Sequence, residues 1–376
     1  MKSVKSVKRI MGILLTTALL ASMLAGCGGD SGSSKSDGKD SGELLEVTMV
    51  SSSTVASMDF VWATVAEDMG YFEEEGLKVN VIECTDGSDP KMLASGQADF
   101  GGFSPSVGLS AVDSGVTNIQ AVCNLICGNI FGFAYNKDSG ISDWSDLEGK
   151  QIAVLSSTFS VIYDPILSAA GVDPATVEYV TYGSSEYEAL DSNQAPAMGS
   201  WISEYYMCEG MDYDWGYLSG NDVLPQIANS IWVNTDFAKE NPEAVKGFVR
   251  AICKAKYFCY LNPEATADLQ LSKYPSIEVT WDGAVGSVRG NIKGMLGMTD
   301  EEIAACVENK QIGIFDMEIV DQTIQNLLDG GAISQKLDSA VYYTNEYVDT
   351  GWDYSEVEED AANYEYSSKI YKEAQE

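Results

Sequence analysis

The sequence contains no histidine. That absence excludes Ser-His-Asp and Cys-His nucleophilic catalysis, His-ligated metal sites and imidazole proton shuttles. Arginine is almost as scarce. After residue 26 only Arg250 and Arg289 occur, so a bidentate guanidinium clamp on carboxylate or phosphate is nearly out of reach. Basic charge is sparse overall, with 22 Lys and Arg against 57 Asp and Glu and a net charge of −35. Nucleic acid, which needs a basic footprint, is therefore not an expected partner. No apolar run reaches the roughly 20 residues that a spanning helix requires. No zinc-type CxxC pair occurs among the 8 Cys, and neither a metal nor a cofactor is expected.

The first informative segment is the N-terminus. Lys2, Lys5, Lys8 and Arg9 precede a short apolar run over 10–20, which ends in Leu24-Ala25-Gly26-Cys27. Basic, apolar, then small residues is the order of a secretory signal. A Cys directly after Leu-Ala-Gly resembles the bacterial lipobox, which implies cleavage before Cys27 and a diacylglyceryl anchor on its sulfur. Two acyl chains hold a protein stably on a membrane. Residues 27–43 are mainly Gly, Ser, Asp and Lys and read as a flexible tether. Removing the four basic residues of the signal (1–26) leaves 18 basic against 57 acidic, a net charge of −39. Seven Cys remain, at 84, 123, 127, 208, 253, 259 and 306. An odd number cannot pair fully, and their apolar neighbours suit buried free thiols. One disulfide stays open.

The next 330 or so residues alternate strand and helix signals. Strands are predicted over 46–51, 77–83, 98–101, 119–125, 151–155, 177–181, 197–202 and near 231–234. Helices are predicted between them, at 60–72, 89–95, 104–113, 156–170 and 185–190. This alternation predicts an α/β fold with helices covering a sheet. Helical signals dominate after Asn241-Pro242, including one over 335–347, and the acidic, Tyr-rich end from Val357 reads as partly disordered.

Five stretches, in order, resemble the substrate-binding proteins of ABC importers for nitrate, sulfonates, taurine and thiamine precursors. They are Gly70-Tyr71-Phe72-Glu73-Glu74-Glu75-Gly76-Leu77, Leu93-Ala94-Ser95-Gly96-Gln97-Ala98-Asp99, Asp146-Leu147-Glu148-Gly149-Lys150, Ala170-Gly171-Val172-Asp173-Pro174 and Asn241-Pro242-Glu243-Ala244-Val245. The resemblance implies a two-lobe periplasmic-binding-protein type II fold with an interlobe cleft. Lobe one would be 44–135 plus 230–350, lobe two 136–229, and 351–376 an acidic tail. It implies a lipid-anchored monomer outside the cell membrane. That protein captures a small organic solute and delivers it to ABC permease and ATPase subunits. A sensing or adhesive surface lipoprotein of the same fold is the alternative. One relative of the fold makes a thiamine pyrimidine using a His of its own chain. With no His here, no enzyme activity is expected.

In open α/β sheets, ligands sit beyond the C-terminal strand ends, against helix N-termini. Three hydroxyl-rich loops qualify: Ser51 to Thr54, Gly101 to Ser106, and Ser156 to Ser160. The candidate ligand-binding residues are Ser53, Phe60, Trp62, Phe103, Ser104, Ser157, Thr158, Phe159 and Trp201. The hydroxyls can equally be plain helix caps, and the rings can equally be core. The family often carries Trp-Glu-Pro-Tyr at the last position. Here Trp201-Ile202-Ser203-Glu204-Tyr205 keeps only the Trp. Scarce Arg leans the ligand toward a heterocycle, such as a thiamine precursor, over a sulfonate or taurine-like compound.

Overall fold

The computed structural model describes residues 43–84, 86–182 and 185–375, with Thr158 described in its backbone alone. The signal, most of the tether and Cys27 lie outside the described residues.

Two five-stranded sheets organise the chain. The first four strands are β1 (Leu45–Ser51), β2 (Leu77–Glu83), β3 (Phe100–Phe103) and β4 (Ile119–Ile126). The chain then crosses to β5 (Phe131–Asn136), β6 (Gln151–Ala153), β7 (Glu178–Val180), β8 (Ala197–Trp201) and β9 (Trp215–Ser219), and returns in β10 (Asn229–Asn234). The sheet orders are β2-β1-β3-β10-β4 and β7-β6-β8-β5-β9. In the first, β1 runs parallel to β2 and β3, while β10 is antiparallel to both its neighbours. Burial follows the pattern of the strands. Met49, Val50 and Phe100 are fully covered, and β4 is apolar and buried along nearly its whole length, as a strand covered on both faces must be.

The two crossings, 127–130 and 220–228, lie together. Asn129 is 1% exposed. Its Nδ2 donates to the Leu224 carbonyl at 3.0 Å, and its N–H donates to Asn221 Oδ1 at 3.0 Å.

The C-terminal half is helical. The helices Pro242–Leu261 and Trp281–Leu296 pack on the first sheet, Pro263–Lys273 packs on both of these helices, and Trp281–Leu296 also packs on the helix Ile202–Gly210, which follows β8. That last contact is backbone to backbone. A Cβ on Gly290 would stand 2.5 Å from Ser203 Cα, and one on Gly286 2.2 Å from the Tyr206 carbonyl oxygen. Glycine is required there by proximity, not by dihedral preference.

Several expectations are corrected. The 60–72 helix is broken at Gly70, whose φ of +81° needs no Cβ, so Val61–Asp68 and Tyr71–Glu74 are separate helices. β5 and β9 were not anticipated; each carries a Gly, a poor strand former. Most of 335–347 is irregular, with a helix only at Ser339–Tyr342. The acidic end is folded: Tyr354–Ala362 and Lys369–Ala374 are helices, and Trp352, Tyr354, Val357 and Ala361 are buried.

Gly290→Ala forces a methyl into the backbone of the 202–210 helix. Overpacking of this kind costs about 1–3 kcal/mol, so the melting temperature should drop by several degrees. Gly247→Ala meets no backbone, only the Glu75 side chain from 3.0 Å outward, and should cost less. Equal melting temperatures for the two variants would refute the backbone contact.

Candidate functional site

The C-terminal ends of β1, β3, β6 and β8 carry the loops singled out above. In the first sheet, the loop after β1 is held from three sides. Ser52 Oγ donates to the Gly102 carbonyl at 3.2 Å, the Val55 N–H donates to Glu83 at 2.8 Å, and Gln270 Nε2 donates to the Val55 and Ser57 carbonyls at 2.9 and 2.7 Å. This loop ends in a short turn at Met58–Phe60 that presents Asp59.

Asp59 reaches across to the second sheet. Ser203 Oγ donates to its carboxylate at 2.6 Å, and the Trp201 side chain and the Ser57 hydroxyl also hydrogen-bond to it. Burial nonetheless pushes the Asp59 carboxyl above its ordinary range, against the pull of these hydrogen bonds. Behind the contact, Asn291 of the 281–296 helix donates to the Met58 carbonyl at 2.9 Å. Trp201 is half-buried and ends β8 where the 202–210 helix begins.

One turn further along that helix lies Glu204, 6% exposed. Ser200 Oγ and Tyr187 Oη donate to its two carboxylate oxygens at 2.7 and 2.8 Å. Burial pushes its pKa to about 7; the two hydrogen bonds oppose the rise, while the charges of Asp59 and Glu186 add to it. None of the groups that hydrogen-bond to Asp59 or Glu204 is a cation. Asp59 thus stands at the junction of the sheets, close enough for its charge to act on the buried Glu204.

The candidate residues divide by burial. Ser53, Ser104, Phe159 and Trp201 are half-buried and Ser157 is exposed, all at strand ends or in the loops after them. Ser104 also caps the helix Pro105–Asp113, accepting from the Val107 N–H at 3.4 Å. Phe159 lies on Tyr163, with centroids 6.1 Å apart. The Thr158 side chain is outside the described residues. Three rings are core instead. Phe60 and Trp62 are 3% and 4% exposed and pack on each other. Phe103 is fully buried and stacks on Trp232 at 5.3 Å. Their positions at the start of a helix and the end of a strand turn these rings inward, where they pack. Asp59, Ser203 and Glu204 were missed. The signal for Glu204 was present, since an acid still follows Trp201, three positions on instead of one. In the first helical turn that spacing folds the carboxylate back onto Ser200.

With the site in view, relatives can be weighed. A family model described as "NMT1/THI5 like" matches residues 57–266. The chain belongs to the NMT1/THI5-like family. The 4-amino-5-hydroxymethyl-2-methylpyrimidine phosphate synthase of Legionella pneumophila is 24% identical over 57% of this chain and 69% of its own length. Riboflavin-binding protein RibY of Chloroflexus aurantiacus is 24% identical over 82% of this chain and 87% of its own. Among solved structures, the periplasmic nitrate-binding protein NrtA of Synechocystis PCC 6803 superposes with a TM-score of 0.58 at 14% identity, covering 85% of this chain and 89% of that one. The architecture is therefore the two-lobe type II periplasmic-binding-protein fold.

The raised Glu204 pKa sets the sign of a pH effect. The folded state holds this proton more tightly than the unfolded state, whose carboxyl titrates near 4.5. Stability should fall as pH rises from about 4.5 through about 7, by roughly 3 kcal/mol for this group, and stay reduced above. Glu204→Gln, which cannot ionise, should raise the melting temperature relative to wild type at pH 8 and change it little at pH 4.5. An equal effect at both values would show that Glu204 is not a strained buried carboxyl.

Proposed function

We propose that this chain is the lipid-anchored solute-binding protein of an ABC importer. In this reading it captures a small heterocycle rich in N–H donors between lobes 44–135 plus 230–350 and 136–229 and delivers it to a permease. Cys27 would carry the anchor, on the outer face of the cell membrane. The observation that carries the reading is the Asp59 carboxyl at the junction of the sheets, with Ser203 and Trp201 beside it, the buried Glu204 within reach of its charge, and no cation among the partners of either acid. An anionic sulfonate or nitrate placed there would meet a carboxyl. A protonated or amino-substituted ring gains a hydrogen bond from it and stacks on an aromatic face. The match to RibY, a riboflavin-binding protein, runs over most of both chains.

A transport role is favoured over synthesis because the chain has no His and the groups around Asp59 are hydroxyls and an indole. Closure would require that ligand bind the closed form more tightly than the open one.

A thermal-shift panel tests the reading, with thiamine pyrimidines, riboflavin, purines, taurine, alkylsulfonates and nitrate as ligands. A heterocycle at 100 times its Kd should stabilise the protein by about 2.7 kcal/mol, and Trp201→Ala should weaken it at least ~10-fold, the loss of one stacking face. Stabilisation by sulfonate or nitrate alone would overturn the ligand class.

A further inference from the structure

Five of the thiols lie around one buried ammonium. Lys256 is 1% exposed, and its Nζ donates to the Asn124 carbonyl at 2.8 Å. Cys123, Cys127, Cys253, Cys259 and Cys306 all feel its charge. Two of them go further. Cys123 is in β4 and Cys253 in the 242–261 helix, 0% and 1% exposed; Cys253 Sγ donates to the Ile312 carbonyl at 3.2 Å and Cys123 Sγ to the Asn124 carbonyl at 3.8 Å, and the two thiols act on each other's ionisation. Gly313 fixes how closely they meet. A Cβ there would stand 2.7 Å from Cys253 Sγ and 2.9 Å from Cys123 Sγ, and its φ of +86° also favours glycine. Residue 313 thus roofs both sulfurs at one point, and the Gly313 carbonyl is tied to the Asn124 N–H at 2.8 Å.

We propose that Cys123 and Cys253 are a redox-active pair that a peroxide converts to a disulfide, joining β4 to the 242–261 helix. The two sulfurs have distinct roles. Cys123 Sγ lies 3.8 Å from the Asn124 carbonyl oxygen to which Lys256 also donates. When Cys123 ionises, Cys253 hydrogen-bonds to it and Lys256 attracts it, which holds that thiol below its ordinary range in spite of burial. The same interaction and burial push the Cys253 thiol up. The Lys256 ammonium, seated on the carbonyl that Cys123 also reaches, favours Cys123 as the nucleophile. The Cys123 thiolate attacks one oxygen of hydrogen peroxide, the O–O bond breaks, and hydroxide leaves, giving Cys123–SOH. The Cys253 sulfur then attacks the sulfenic sulfur. The S–S bond forms, the S–OH bond breaks, and the thiol proton and hydroxide depart as water. Two thiols are oxidised and one peroxide is reduced to two waters. Because both sulfurs are buried, the reaction should be slow compared with that of exposed low-pKa thiols.

The full chain, treated with hydrogen peroxide and quenched, should lose about 2 Da in mass, and on denaturation and alkylation it should lose two labelling sites together. Peptide mapping should give one linked species joining 123 to 253. In Cys253→Ser the reaction should stop at a sulfenic acid on Cys123, trapped by dimedone. The linked protein should melt at least ~5 °C higher, since the bridge closes a long loop. Alkyl label on both Cys123 and Cys253 after oxidation of other thiols would overturn the proposal. So would a bridge from either residue to a different cysteine. The wild-type peptide map decides the matter even where a variant fails to fold.

Discussion

The contact between Asp59 and Ser203 is the interaction on which the arrangement of the site depends. It spans 144 positions of sequence and joins the loop after β1 to the helix after β8 at 2.6 Å. A carboxylate that bridges two sheets must be aimed from both sides. From one side, Gln270 and Glu83 fix the loop that carries it. From the other, Gly286 and Gly290 let the 281–296 helix lie directly on the 202–210 backbone, which brings Ser203 within reach. Two small residues on one helix therefore determine whether a charge on another element finds its partner.

That placement has an electrostatic consequence. Asp59 and Glu204 are held by hydroxyls and an indole. Neutral donors orient a carboxylate without cancelling its charge, so burial wins and both carboxyls are raised. A site with raised carboxyls is poised to give up protons or to accept a donor-rich ligand. Each outcome relieves the same cost. Perturbed carboxyls concentrate at functional sites for this reason.

The sequence made much of the first sheet legible, because its strands are apolar runs bounded by turns: the predicted 77–83 strand is β2, and 119–125 is β4 short by one residue. The second sheet was harder to read, and glycine explains why. β5 and β9 pair antiparallel, and each covers the glycine of the other with a tyrosine. A Cβ on Gly132 would meet the Tyr217 ring at 2.7 Å, and one on Gly216 the Tyr135 ring at 2.2 Å. Local propensity penalises these glycines, whereas the strand pair requires them. At the site, Trp201 was legible from its place after a strand. Asp59 was not, because an acid beside a Ser reads as an ordinary cap until the second sheet arrives. Phe60, Trp62 and Phe103 were illegible for the opposite reason: an aromatic near a strand end looks the same in sequence whether it faces a cleft or the core.

The same charge imbalance that shapes the site also shapes the helical half. With 57 acids against 22 cations, a well-placed cation serves two carboxylates. Arg250 pairs with Glu75 and Asp349, Lys254 with Glu74 and Glu356, and Lys273 with Glu67 and Asp68. Lys254 is nearly buried beneath Tyr71. Two of these cations draw the acidic C-terminal stretch onto the 242–261 helix, which is why residues from 349 onward fold where composition alone suggested a loose end. Surface ion pairs contribute little singly, but a half-buried cation shared by two acids fixes the path of both segments. Cations engaged in this way are unavailable to the junction of the sheets. The scarcity of positive charge thus acts twice: it is concentrated where the helical end must be held down, and its absence among the partners of Asp59 and Glu204 leaves both carboxyls raised.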